Sequence, residues 1–206
     1  MKVVFDFGAV LFRWQPAALL ARVLPHRFET LEAGAEGAAR YFQGYEGDWG
    51  LFDQGLIGQG EVVRRIAART GWPLGDVSAV AEAVPTELLP IPATVVLIRE
   101  LRAAGHELHY LSNMPAPYAD HLERTYPLQE WFASGVFSGR VKWRKPHAEI
   151  FEVAERRFGV PPDQLVFLDD MPANIRAAEA RGWQAVQFTE ASAAREALVA
   201  RGLLSA

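Results

Sequence analysis

A strongly apolar stretch near the start of the chain, residues 3–12, contains one charged side chain, Asp6. Runs of β-branched and aromatic residues are typical of a strand that is buried on both faces. A lone charge in such a strand is costly unless another group pairs with it. Gly8 then predicts a turn, so Asp6 lies where the strand ends. The stretch predicts either a functional carboxylate at the carboxyl edge of a sheet or, more simply, an aspartate that caps a turn.

From Pro90 onward, short apolar segments alternate with amphipathic segments of helical periodicity. Gly105, Gly159 and Gly182 end three of the helical segments, as glycine commonly does at helix C-termini. Alternation of this kind predicts a parallel sheet with right-handed helical crossovers. We predict strands over 107–111, 135–138, 164–168 and 184–188, and helices over 94–104, 116–126, 147–158, 173–181 and 190–201.

Residues 17–86 contain helical patterns but no convincing strand. A crossover between parallel strands needs only about a dozen residues, so this segment is longer than the connection requires. We therefore predict an α/β, Rossmann-like parallel sheet with helices on both faces. Its core comprises residues 1–13 and 89–206, and a small helical domain, residues 14–88, is inserted after the first strand. Within the insertion we predict helices over 18–24, 31–42, 62–67 and 76–84, and a tight turn over 49–55.

The composition excludes several classes of function. Half of the 206 residues are hydrophobic and 22% are charged, as in ordinary globular proteins, and the formal net charge of −4 predicts no nucleic-acid partner. The absence of cysteine rules out disulfides, thiolate catalysis and cysteine–zinc sites. No signal peptide and no apolar run of about 20 residues is evident, so we expect a cytoplasmic protein without a membrane partner. Nothing in the sequence indicates an oligomeric state.

Chemically active side chains follow the predicted strands at their carboxyl ends, where open α/β sheets bind ligands. Three carboxylates at one edge repel one another unless a cation lies among them, and an all-oxygen ligand set suits Mg²⁺. A hydroxyl and a lysine beside that cation suit a phosphate. The residues concerned are Asp6, Ser112, Asn113, Asp169 and Asp170 at strand ends, and Lys145 just before a helix.

An aspartate held against a bound phosphate can attack it, which splits hydrolysis into two easier steps through an aspartyl-phosphate. Taken singly, these residues have simpler interpretations. Ser112 fits a turn residue, Lys145 a solvated surface lysine, and the pair Asp169 and Asp170 a helix cap. Asn174 alone fits an ordinary residue in the first turn of a helix. Their order along the chain, each at the boundary of a predicted element, favours the catalytic interpretation.

Four segments, in the same order, resemble the motifs of the haloacid dehalogenase-like (HAD) hydrolase superfamily. They are residues 5–11 (FDFGAVL), 111–113 (LSN), 144–151 (RKPHAEIF) and 167–175 (FLDDMPANI). The helical insertion resembles the first type of cap domain in this superfamily. More closely, the chain is similar to the bacterial α-D-glucose-1-phosphatase-like branch and to the N-terminal phosphatase domain of epoxide hydrolases.

The resemblance implies a Mg²⁺-dependent hydrolase of small phosphomonoesters, sugar phosphates among them. It implies that Asp6 is the nucleophile and that Lys145 bridges the nucleophile and the phosphate. A small phosphorylated metabolite is therefore the expected partner. By the same resemblance, phosphate contacts come from Phe7, Gly8, Ser112, Asn113 and Lys145, metal ligands from Asp6, Gly8, Asp169 and Asp170, and an outer-shell contact from Asn174.

One position departs from the usual pattern. In most phosphatases of this superfamily the residue two after the nucleophile is a second aspartate, which protonates the leaving oxygen and later activates water. Gly8 occupies this position and has no proton to give. The glucose-1-phosphatase-like branch tolerates glycine here. Glu46, Asp48 and Asp53 of the insertion are candidate donors, although their simpler interpretation is as solvated loop carboxylates.

The missing aspartate leaves two alternatives open. One is a 2-haloacid dehalogenase-type hydrolase, in which Asp6 attacks carbon without a metal and an arginine such as Arg13 binds the substrate carboxylate. Against it, Asp169 and Asp170 would place further negative charge beside that carboxylate. The other alternative is a HAD-like binding protein with little or no activity.

Overall fold

The computed structural model describes residues 1–205 and contains a five-stranded sheet in which neighbouring strands are parallel. In space the strands follow the order β3-β2-β1-β4-β5, so β1 lies at the centre. This is the parallel, Rossmann-like sheet that the sequence predicts. Its strands are β1 (Lys2–Phe5), β2 (Leu108–Ser112), β3 (Ser134–Phe137), β4 (Leu165–Asp169) and β5 (Gln184–Gln187).

Helices separate all of these strands along the chain. Between β1 and β2 lie α1 (Pro16–Val23), α2 (Leu31–Phe42), α3 (Gly47–Asp53), α4 (Gln59–Thr70), α5 (Leu74–Glu87) and α6 (Pro92–Ala103). The later helices are α7 (Ala116–Thr125), α8 (Leu128–Trp131), α9 (Ser138–Val141), α10 (Ala148–Phe158), α11 (Pro172–Ala180) and α12 (Ala191–Ala200). None of the helices in the described part of the chain has the length and apolar character that crossing a membrane requires.

The two faces of the sheet carry separate clusters of buried side chains. Val3 and Phe5 of β1 belong to one cluster with buried residues of α6 and α12, whereas Val4 belongs to another with residues of α10 and α11. Successive side chains of a strand point to opposite faces. The helices α6 and α12 therefore cover one face and α10 and α11 the other, as the sequence predicts.

The segment before α1 and the segment after α5 lie next to each other. The Arg13 N–H donates to the Leu89 carbonyl at 2.9 Å, and the Ile91 N–H donates to the Leu11 carbonyl at 2.8 Å. The two crossing segments are thus held side by side by the backbone.

The five helices α1–α5 also contact the rest of the molecule directly. The Tyr118 hydroxyl of α7 donates to the Ala81 carbonyl of α5 at 2.6 Å. The Gln54 side chain, just after α3, donates to the Lys142 carbonyl at 2.7 Å. These contacts fix α3 and α5 over the carboxyl end of the sheet.

The first strand ends where the sequence predicts, with Asp6 directly after Phe5 and a tight loop beyond it. In that loop the Phe7 carbonyl accepts three backbone N–H groups, and Ala9 takes a left-handed backbone angle, φ 58°. One local prediction was wrong. Of residues 49–55, predicted as a tight turn, residues 49–53 belong to the helix α3 and only residues 54–55 form a turn.

Gly135 in β3 lies against the ring of Tyr110, its register partner in β2. A β-carbon at Gly135 would lie 2.3 Å from three carbon atoms of that ring, which packs among Phe7, Phe132 and Phe137. We expect Gly135→Ala to lower the free energy of unfolding by about 1–3 kcal/mol, measured by urea denaturation, because the neighbours of the ring leave it no room to move.

The matched control is Gly75→Ala in the first turn of α5, where a β-carbon meets no atom within 4 Å. Its free energy of unfolding should be unchanged or slightly higher, since alanine favours the helix over glycine. Equal stability of the Gly135→Ala and wild-type proteins would show that the Tyr110 ring can shift at no cost.

Candidate active site

Three carboxylates meet at the carboxyl edge of the central strands. Asp6 directly follows β1, Asp169 is the last residue of β4, and Asp170 follows it. Each offers one oxygen such that all three oxygens lie within 4.8 Å of one another. The pairing of β1 with β4 brings the two strand ends together, as the sequence predicts from the parallel sheet.

Lys145 lies among these carboxylates and is 2% exposed. Its Nζ is 2.7 Å from Asp6 Oδ1 and 2.6 Å from Asp169 Oδ2. Burial alone would lower the pKa of Lys145, but the two carboxylates outweigh burial and hold the pKa above its ordinary value. The lysine is therefore a fixed positive charge, and the interpretation of Lys145 as a solvated surface residue was wrong.

Asp169 is fully buried, and its oxygens are committed to neighbouring groups. Oδ1 accepts hydrogen bonds from the Met171 N–H at 2.8 Å and from Asn174 Nδ2 at 2.9 Å. Oδ2 accepts from Lys145 Nζ, and Asn174 Nδ2 also lies 3.1 Å from it. Asp169 thus orients Lys145, and Asn174 in the first turn of α11 orients Asp169.

The site carries more negative than positive charge. Burial raises the pKa of Asp6; Lys145 opposes this shift, whereas Asp169 and Asp170 add to it. Burial also raises the pKa of Asp170, and Asp169 adds to that shift. A cation between Asp6 and Asp170 would relieve this repulsion, and a donor set made of oxygen atoms suits a hard divalent ion such as Mg²⁺. The residues therefore fit the metal that the sequence predicts.

Of the predicted phosphate-binding residues, Gly8, Asn113 and Lys145 line the cavity beside the carboxylates, whereas Phe7 and Ser112 do not. Ser112 is the buried last residue of β2. The Asn113 side chain exchanges two hydrogen bonds with the Lys145 backbone, donating to its carbonyl at 2.9 Å and accepting from its N–H at 2.8 Å. The Phe7 side chain packs in the core, so Phe7 can offer a ligand only backbone groups. Gly8 lines the cavity beside Asp6.

A cavity of about 260 Å³ lies against Asp6, Lys145 and Asp170 and extends to residues of the helices α3 and α5. Its remaining wall is mostly aromatic and aliphatic. The apolar side chains that form this wall include Trp14, Trp49, Val84, Leu88, Met114 and Tyr118. A ligand with a phosphate at the carboxylates would place its organic part against these side chains.

Sequence reasoning missed Arg144 as a cavity residue. Arg144 is 9% exposed, lines the cavity and pairs with the carboxylate of Glu46. Its position directly before Lys145, in the motif segment 144–151, could have identified it. Arg13, by contrast, is exposed and does not line the cavity, so it does not supply the arginine that the dehalogenase alternative requires.

The three candidate proton donors of the insertion differ from one another. Glu46 is mostly exposed, although it lines the cavity and pairs with Arg144. Asp48 pairs with Arg69 at 3.1 Å and fits a surface carboxylate. Asp53 is 5% exposed and lines the cavity. The interpretation of Asp53 as a solvated loop carboxylate was therefore wrong, because α3 carries it inward rather than into solvent.

Two known phosphatases resemble this chain, one over most of its length and one over less than half. A sesquiterpene phosphatase, astK, from Aspergillus oryzae is 24% identical over 192 residues, which cover 92% of this chain and 90% of that protein. A phosphoglycolate phosphatase from Salmonella typhi is 30% identical over 89 residues, which cover 43% of this chain and 35% of that protein.

Solved structures share the fold. A HAD family enzyme, bt-2542, from Bacteroides thetaiotaomicron, solved as a magnesium complex, superposes with a TM-score of 0.68 at 20% identity, covering 91% of this chain and 92% of its own. An L-2-haloacid dehalogenase from Xanthobacter autotrophicus superposes with a TM-score of 0.67 at 22% identity, covering 96% of this chain and 82% of its own. The family model for haloacid dehalogenase-like hydrolases matches residues 10–182. With that match across most of its length, the chain belongs to the haloacid dehalogenase-like hydrolases.

Proposed function

We propose that this hydrolase is a Mg²⁺-dependent phosphatase that cleaves small phosphomonoesters through an aspartyl-phosphate on Asp6. The observation that carries the proposal is the contact of buried Lys145 with both Asp6 and Asp169, beside Asp170 and a cavity. The ammonium group of Lys145 restrains the Asp6 carboxylate and presents a positive charge to an incoming phosphate. The phosphatases among the relatives support the same chemistry.

Asp6 would attack the phosphorus atom, and the bond from phosphorus to the ester oxygen would break. Lys145 and the N–H groups of Phe7, Gly8 and Asn113, with the Ser112 hydroxyl, would bind the phosphoryl oxygens. Asp6, Asp170 and the Gly8 carbonyl would hold Mg²⁺, with Asp169 beside them and Asn174 in the outer shell. When bound, the ion supplies positive charge that stabilises the phosphoryl group during transfer.

The cavity wall supports substrates whose organic part is apolar or aromatic. Most side chains on the wall are apolar, among them Trp14, Trp49 and Tyr118, and an apolar wall binds hydrocarbon groups better than it binds the hydroxyl groups of a sugar. The name of the sesquiterpene phosphatase points in the same direction. The resemblance described for the sequence suggests sugar phosphates instead, and the assay below compares these two classes of substrate.

Residues 14–88 would then act as a cap over the core formed by residues 1–13 and 89–206. Trp14, Tyr45, Trp49 and Val84 of this segment lie on the cavity wall, opposite the carboxylates of the core. A cap of this kind excludes water and selects the organic part of the substrate. The expected partner is a small phosphorylated metabolite.

The test is release of inorganic phosphate from three esters: phenyl phosphate, a prenyl monophosphate and glucose 1-phosphate. We expect turnover with Mg²⁺, loss of turnover with EDTA, and a higher kcat/KM for the two apolar esters. Turnover that persists in EDTA would contradict the metal requirement. A higher kcat/KM for glucose 1-phosphate would contradict the apolar substrate class.

The same protein preparation tests the two alternatives. A dehalogenase would release halide from 2-haloacids without metal. A binding protein would turn over none of these compounds and would still bind phosphate in the presence of Mg²⁺.

A further inference from the structure

The reaction proposed above lacks an obvious proton donor. The alkoxide that leaves an alkyl phosphate is a strong base, so a nearby acid normally protonates it. Gly8 stands where the donor is expected and contributes no side chain. A β-carbon at Gly8 would meet only Trp14 Cβ, at 4.0 Å, so the space that a donor at this position would use is open.

Asp53 presents a carboxyl group to the same cavity. It is the last residue of α3, and its backbone carbonyl accepts a hydrogen bond from Ser138 Oγ at 2.5 Å, which fixes the end of the helix on the core. The residue is 5% exposed and lines the cavity. Its carboxyl oxygens accept no hydrogen bond from the described residues, and neither oxygen is fully enclosed by protein.

The other cavity carboxyls are already engaged. Asp6 is the proposed nucleophile, Asp170 lies beside Asp169 at the proposed metal site, and Glu46 pairs with Arg144. Among the carboxyl groups that line the cavity, Asp53 is therefore the one left for proton transfer.

We propose that Asp53 is the acid–base catalyst of this enzyme, in place of the side chain that Gly8 lacks. The inference rests on the proposed phosphatase function. In the first step, the Asp6 carboxylate forms a bond to phosphorus and the bond from phosphorus to the ester oxygen breaks. That oxygen takes the Asp53 proton and leaves as an alcohol, and Asp53 becomes a carboxylate.

In the second step, a water molecule attacks the phosphorus of the aspartyl-phosphate and gives one proton to the Asp53 carboxylate. The bond between phosphorus and Asp6 breaks, inorganic phosphate leaves, and both aspartates return to their starting states. Atoms and charges balance over the cycle without any further reactant.

The electrostatics around Asp53 favour the protonated form that the first step needs. Burial raises its pKa to about 8; the Arg144 guanidinium opposes the shift and the Asp6 carboxylate adds to it. The other titratable groups that face Asp53 are the phenols of Tyr45 and Tyr118, whose own pKa values are raised by burial, so both stay neutral. Asp53 therefore holds a proton at neutral pH and loses it as the pH rises through about 8.

The decisive experiment compares Asp53→Asn with wild type on two esters, an alkyl phosphate and p-nitrophenyl phosphate. For the alkyl ester, whose leaving group needs a proton, kcat/KM should fall by about 10²–10⁴-fold. For p-nitrophenyl phosphate, whose leaving group departs without one, kcat/KM should change by less than about threefold. The same variant should release a burst of p-nitrophenolate and then turn over slowly, because water activation in the second step is lost.

Asp48→Asn is the matched control, since Asp48 lies on the same helix but pairs with Arg69. Its kcat/KM should match wild type for both esters. Gly8→Asp in the Asp53→Asn background should restore part of the alkyl phosphatase activity, because position 8 has room for the side chain.

The pH dependence of the wild-type enzyme provides a second test, which does not depend on whether a variant folds. Its kcat/KM for the alkyl ester should fall as the pH rises through about 8, whereas that for p-nitrophenyl phosphate should not share this decrease. An equal loss on both esters in Asp53→Asn, or identical pH profiles of the two esters in wild type, would overturn the inference and leave the phosphatase proposal intact. Wild type that hydrolyses neither ester would overturn both.

Discussion

Asp6→Asn is expected to abolish phosphate release, with a fall in kcat of at least about 10⁴-fold, because the amide cannot attack phosphorus. The substitution keeps the size of the side chain. It also removes a buried carboxyl whose pKa is raised by its surroundings, so folding should be no less stable than in wild type. The variant should retain a cooperative thermal transition while losing turnover of every ester that wild type cleaves.

A chemical readout makes this result specific. Acid quenching of wild type during turnover, followed by peptide mass spectrometry, should place a phosphoryl group on the peptide that contains Asp6. Asp163→Asn serves as the control, because Asp163 is exposed in the turn before β4 and should leave turnover unchanged. Persistent turnover in Asp6→Asn, or a phosphoryl group on another aspartate, would refute the assignment of the nucleophile.

Lys145→Met is expected to reduce both stability and activity. The free energy of unfolding should fall by roughly 3–5 kcal/mol at neutral pH, because Asp6 and Asp169 would keep buried negative charge without a partner. The loss should shrink as the pH falls and Asp6, whose pKa is raised by burial, takes up a proton. Phosphatase kcat should fall by about 10²–10³-fold, since the variant lacks the charge that faces the phosphoryl oxygens.

Urea denaturation at several pH values, with an assay of phosphate release, measures both effects. Lys2→Met is the matched control, because Lys2 begins β1 and its partner Glu107 is half exposed. An exposed pair of this kind contributes at most about 1 kcal/mol. Similar losses in the two lysine variants would mean that Lys145 does not neutralise the buried carboxylates.

The strand-end residues could be predicted from the sequence because parallel strands impose a simple rule. Whatever follows β1 and β4 must meet at one edge, so Asp6 and Asp169 come together wherever the intervening helices lie. The helix α2 was also predicted with its observed bounds, because the segment 31–42 is rich in alanine and glutamate, which favour a helix.

The sequence could not place Asp53 or Arg144. Both are charged residues, and charged residues ordinarily lie on the surface. Their burial depends on how α3 docks against α9, with Ser138 Oγ donating to the Asp53 carbonyl. No periodicity encodes a contact between segments that lie 85 residues apart. Tertiary packing also decided that residues 49–53 are helical.

The paired backbone at Arg13–Leu89 and Leu11–Ile91 has a consequence for how this protein can change over evolutionary time. Because entry and exit are adjacent, a segment of almost any length can be exchanged between them without altering β1, α6 or the residues at the strand ends. Under our proposal, selection can therefore replace the wall that contacts the organic part of the ester while keeping the nucleophile and the metal ligands of the core. Asp53 lies on the exchangeable side of this junction, so under our proposal a change of substrate and a change of proton donor are inherited together.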